Sequence, residues 1–94
     1  MEKNIENKIV LLTTEGCLGC SIIKRSITQA IAKAKINITF EEKDLGIVKK
    51  SFLKTNGIKD VPAVLFYKND NLVLKAFGSK PEPVITRWID IHFK

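Results

Sequence analysis

The chain has 94 residues, 45% of them apolar, and 16 Lys and Arg against 10 Asp and Glu give a formal net charge of +6. That length and composition suit one domain with its own core and argue against intrinsic disorder. No stretch approaches the ~20 apolar residues of a membrane-spanning helix, and Met1-Glu2-Lys3-Asn4-Ile5-Glu6-Asn7 lacks a secretory leader's apolar run, so a cytoplasmic protein without membrane contact is expected.

In chain order, Ile9-Val10-Leu11-Leu12 is a continuous apolar run ending at Thr13-Thr14, the pattern of a central strand covered on both faces. Glu15 and Gly16 break it. From Cys17 the period changes. Cys20, Ile23, Ile27, Ala30, Ile31 and Ala34 recur at three- and four-residue spacing and predict a helix from Cys17 to about Lys35. Ile36, Ile38 and Phe40 then alternate with Asn37, Thr39 and Glu41 as a half-buried strand. Ile47, Val48, Phe52 and Leu53 line a short second helix, which Asn56-Gly57 stops.

Val61-Pro62 leads into Ala63-Val64-Leu65-Phe66-Tyr67, a buried strand. Lys68-Asn69-Asp70-Asn71 is a polar turn, and Leu72 to Phe77 returns as the second arm of a hairpin that Gly78 ends. Ser79 and Glu82 then predict a capping box with Ser79 as N-cap, Pro81 being tolerated in the first turn. Val84, Ile85, Trp88, Ile91 and His92 give the last helix an apolar face. The order is β-α-β-α-β-β-α. A right-handed strand-helix-strand unit followed by a hairpin and helix makes an α/β fold, a four-stranded mixed sheet with helices on both faces.

The basic residues are dispersed as Lys24 and Arg25, Lys33 and Lys35, Lys49 and Lys50 and single lysines, and one Trp and one Tyr offer little stacking surface for bases. The charge excess therefore reads as solvated helix faces of a monomer, with no nucleic-acid partner.

The chemistry lies in Cys17 and Cys20, three residues apart and without other cysteines to pair with. In a reducing compartment such a pair is more often redox-active or metal-binding than a structural staple. A helix start suits redox work, because its unpaired N–H groups and positive dipole end stabilise the attacking thiolate. Cys17 precedes the first apolar helix position, and Cys20 falls on the same face as Ile23 and Ile27. Cys17 is thus the expected nucleophile and Cys20 the resolving thiol. Two other readings compete. A structural zinc site needs four ligands and the chain offers only Cys17, Cys20 and the distant His92, which leaves metal bridging between two chains. The other is a pair of inert, buried cysteines.

With Cys17 and Cys20 after the first strand and Val61-Pro62 before the hairpin, the chain resembles a short thioredoxin-fold protein from about Lys8 to Lys94. In that superfamily the proline equivalent to Pro62 follows a cis peptide bond and lies against the cysteine pair, and the backbone of its neighbour, here Val61, pairs with the substrate. Gly78, 16 residues after Pro62, falls where thioredoxins carry a glycine near the substrate groove. The resemblance implies thiol–disulfide exchange on protein disulfides, driven by a thiol reductant, with no metal or other cofactor.

Departures from the thioredoxin pattern are specific. Gly16 stands where thioredoxins carry a tryptophan, Leu18-Gly19 replaces Gly-Pro, and Leu11 occupies the place of a buried aspartate that helps the resolving cysteine lose its proton. Lys43 is available to supply part of the missing electrostatics. The chain begins at the first strand of the common core, a brevity shared with glutaredoxins, yet Phe77-Gly78-Ser79-Lys80 lacks the glycine pair and acid with which those proteins hold glutathione. Glu15 and Lys24 read as solvent-facing, His92 as a surface residue or one pairing with the helix dipole, and Tyr67, Trp88 and Phe93 as packing residues. The alternative function is a binding or redox-sensing module of the same fold.

Overall fold

The computed structural model describes residues 6–94. The expectation of no leader rests partly on residues 1–5, which lie outside the described residues. Strands β1 (Asn7–Thr13), β2 (Thr39–Asp44), β3 (Ala63–Lys68) and β4 (Asn71–Phe77) form one sheet in the order β2-β1-β3-β4. Helices α1 (Cys20–Ala34), α2 (Lys50–Thr55) and α3 (Glu82–Phe93) complete the β-α-β-α-β-β-α order, and a 3-10 turn at Leu45–Ile47 precedes α2. β1 runs parallel to β2 and antiparallel to β3, and β3 and β4 form the hairpin. Asn69 and Asp70, both at positive φ, make its two-residue turn. Among the described residues no helix is long and apolar enough to cross a membrane.

The pleat divides the apolar residues between two layers. Ile9, Leu11, Val64 and Phe66 face α1 and α3, where Ile23, Ile27, Ala30, Ile85, Ile89 and Phe93 are buried with them. Val10, Leu12, Ala63 and Leu65 face the other way and pack with Ile58, Phe52 and Leu53. Burial on both sides explains why the two central strands read as unbroken apolar runs. Phe66 is fully buried, stacked on Phe93 at 5.1 Å between ring centres and edge-on to Trp88 at 6.3 Å.

The second strand starts at Thr39 rather than Ile36. Ile36 and Ile38 instead lie in the connection from α1, half-buried against the larger core. Ile47 does not line α2. It belongs to the 3-10 turn, which the Asp44 carboxylate caps by accepting from the Gly46 amide at 2.7 Å, and it is 74% exposed. The capping box is absent, because α3 begins at Glu82 with Pro81 as N-cap. The Glu82 carboxylate accepts from Lys33, which ties the first turn of α3 to α1, and from the Thr86 hydroxyl within α3 itself. The buried stripe of α3 is Ile85, Ile89 and Phe93, while Ile91 is 61% exposed, and the half-buried His92 lies edge-on to Phe66 at 6.4 Å.

Candidate functional site

Sheet register brings three loops to one end of the molecule. Leu12 of β1 pairs with Ala63 of β3, and Ala63 pairs with Phe77 of β4. The chain leaving β1 toward the cysteines, the Val61-Pro62 entry to β3 and the Gly78 exit from β4 therefore emerge side by side.

Cys17 and Cys20 form a disulfide with their Cα atoms 5.5 Å apart. The loop carrying them folds tightly, Gly16 taking φ +81° and the Cys17 amide donating to the Thr14 carbonyl at 3.2 Å. The helix predicted from Cys17 begins instead at Cys20, with Gly19 as N-cap. Leu18-Gly19 offers no side-chain cap, and the first helical bond runs from the Ile23 amide to the Gly19 carbonyl at 3.1 Å. The amides of Cys20, Ser21 and Ile22 are thus left without intrahelical partners, and no acid stands in this first turn. The positive end of α1 opens onto the cysteine loop, with Cys17 three residues before the helix and Cys20 at its first position.

Exposure separates the two sulfur-bearing residues. Cys20 is buried beside Ile23 and Ile27, at 8% exposure, whereas Cys17 is half-buried. Leu18 between them is 92% exposed, and Ile22 in the first turn is exposed as well.

Pro62 closes the other side of the site. The Val61-Pro62 peptide bond is cis, Pro62 is buried and Val61 is half-buried. A Cβ added at Gly19 would lie 3.5 Å from Pro62 Cδ and 3.6 Å from Ser79 Cβ, ordinary contact distances, so the disulfide loop lies beside both residues. The Gly78 amide donates to the Pro62 carbonyl at 2.9 Å, and Gly78 adopts φ +85°. Cys17, Cys20, Pro62 and Gly78 therefore belong to one constellation.

Ser79 and Leu18 also belong to the constellation. The spacing of Ser79 to Glu82 suggests a helix cap, yet Ser79 flanks Gly19, a relation no local pattern encodes. Leu18 does carry a signal, an apolar residue between cysteines and outside the helical stripe.

Leu11 is fully buried in the apolar layer with Ile23, Ile27 and Val64. Lys43 does not compensate. It pairs with Leu12 in the sheet register, one residue out of phase with Leu11, and ion-pairs with Glu41 at 3.4 Å. Lys24 bonds Glu42 of β2 at 3.0 Å, and Glu15 is exposed in the loop. Among the described residues no group of three or more His, Cys, Asp or Glu side chains gathers to hold a metal.

No protein-family model matches the chain, and no curated protein matches it in sequence. Similarity appears at the level of solved structures. A thioredoxin-2 described as a component of malaria parasite protein secretion machinery superposes with a TM-score of 0.77 at 13% identity, covering 97% of this chain and 87% of that one. A point-mutant thioredoxin from Halobacterium salinarum superposes with a TM-score of 0.76 at 12% identity, covering 95% of this chain and 76% of that one. The chain has the thioredoxin fold.

Proposed function

We propose that this protein is a thiol–disulfide oxidoreductase that acts on protein disulfides. The observation that carries the proposal is the disulfide between half-buried Cys17 and buried Cys20 at the open amide end of α1, against Pro62.

In the reduced form the Cys17 thiolate attacks one sulfur of a substrate disulfide. A mixed disulfide forms and the second substrate sulfur leaves as a thiolate, which takes a proton from solvent. The Cys20 thiol, losing its proton to water, attacks Cys17 Sγ and releases the first substrate sulfur. Two electrons pass to the substrate, which becomes a dithiol, and the Cys17–Cys20 disulfide is regenerated. An external thiol reductant reduces it again.

Docking uses the loops around the disulfide. An extended substrate segment pairs with the Val61 backbone, a short form of strand addition, with Gly78 leaving room beside it. The exposed Leu18 side chain offers apolar contact next to the attacking sulfur. We place this activity in a monomer in the reducing cytoplasm, without nucleic acid, membrane or cofactor.

One observation favours a second reading. With Leu11 buried where an acid would help deprotonate Cys20, resolution depends on water. Slow resolution suits a redox-sensing or binding module of the same fold. Reduction of insulin by dithiothreitol separates the two. The oxidoreductase accelerates insulin reduction well above dithiothreitol alone, and Cys17→Ser abolishes the acceleration. A wild-type protein whose disulfide cycles with dithiothreitol but gives no acceleration would be the sensing module.

A further inference from the structure

On the face of the sheet opposite α1 and α3, a cavity of about 340 Å³ opens between β1, β2 and the segment leading into α2. Its floor is apolar, made by Val10, Leu12 and Leu65, with Phe52 as a wall. Ile47 also lines it, although it is 74% exposed. Three lysines, Lys8, Lys43 and Lys49, line the same cavity together with Tyr67, and no acidic residue does. Lys8 and Lys43 share a single carboxylate, Glu41, at 3.7 and 3.4 Å. Lys49 makes no ion pair among the described residues.

We propose that this cavity binds a small amphiphilic acid, a monomeric acyl-chain carboxylate of medium length. An apolar floor rewards burial of a hydrocarbon chain, and lysines in excess over carboxylate reward an anionic head. The volume falls within the range of small-molecule sites. Ile47 extends the apolar wall, so an aliphatic chain covers a side chain that water otherwise surrounds. Neither cysteine lines the cavity, so the proposal is independent of the redox reading.

The test is an amide-resolved NMR titration of the oxidised protein with sodium hexanoate, octanoate and decanoate below their micelle concentrations, and with decanol. Saturable shifts are expected at Val10, Leu12, Val48, Phe52 and Leu65. Affinity should rise by up to about fourfold per added methylene, and decanol should bind at least tenfold more weakly than decanoate. Lys43→Glu combined with Lys49→Glu should weaken decanoate at least tenfold. Arg25→Glu combined with Lys59→Glu, the same change of net charge at exposed positions outside the cavity, should leave it within twofold. Shifts scattered over the surface, equal binding of decanol, or equal losses in both double variants would overturn the proposal.

Discussion

The backbone amide of Gly78 donates to the carbonyl of Pro62 at 2.9 Å. This bond joins the exit of β4 to the entry of β3 just where Pro62 meets Gly19 of the cysteine loop. Segments distant in sequence thereby meet at one end of the sheet.

Gly78 holds φ +85°, a conformation disfavoured for a residue with a Cβ. Gly78→Ala meets only Lys80 Nζ, at an ordinary 3.6 Å, so its cost lies in the backbone. A loss of roughly 1–2 kcal/mol in urea unfolding is expected, together with weaker insulin turnover and unchanged alkylation of Cys17. Unchanged stability and turnover would mean that Gly78 places nothing.

The Lys33 ammonium and the Thr86 hydroxyl, both bonded to the Glu82 carboxyl, hold it below the usual carboxylate range. A folded-state value below the unfolded one contributes stability above the unfolded value, and that contribution is lost as pH falls through the folded value. Glu82→Gln should therefore lower the urea midpoint at neutral pH and converge with the wild type in acid. A constant difference between the two proteins across that range would count against this origin of the effect.

Tyr67 is the only tyrosine in the chain, and burial pushes its phenol above the ordinary value of 10.0. Tyrosinate absorbance of the folded protein should titrate above the midpoint seen in urea. Because the folded value is raised, the associated stability is present below the unfolded value and lost as pH rises through the folded one. Coincident folded and unfolded midpoints would show the ring to be solvated.

Most of the fold is written in local pattern, and the exceptions have physical causes. Ile9 to Leu12 and Ala63 to Phe66 read as central strands because both faces are covered, and the α1 stripe follows the helical period. The start of α1 is ambiguous in the sequence because Cys20 satisfies that period whether the helix begins at Cys17 or at Cys20. The local conformation of Leu18-Gly19 decides the matter. Ile36 and Ile38 alternate like a strand, but β2 registers Phe40 against Ile9 and leaves them in the connection. Glu82 carries the spacing of a capping box, yet Lys33, 49 residues earlier, competes for its carboxylate. At the site, the cysteine spacing and Val61-Pro62 are legible, whereas the approach of Ser79 to Gly19 depends on sheet register.

Exposure distinguishes the two cysteines, Cys17 being half-buried and Cys20 buried. In the reduced protein iodoacetamide should alkylate Cys17 at least tenfold faster than Cys20 near neutral pH, read by peptide mass after quenching. Equal rates, or preference for Cys20, would reverse the proposed roles.

If Cys17 attacks and Cys20 resolves, removing the Cys20 thiol stops the reaction at the mixed disulfide. Mass spectrometry reads this on Cys20→Ser, first reduced and freed of reductant, then mixed with a disulfide-linked peptide. A stable one-to-one adduct through Cys17, which dithiothreitol discharges, is expected. The wild type should instead release two peptide thiols and recover its own disulfide. A stable adduct on Cys17→Ser through Cys20, or none on Cys20→Ser, would contradict these roles.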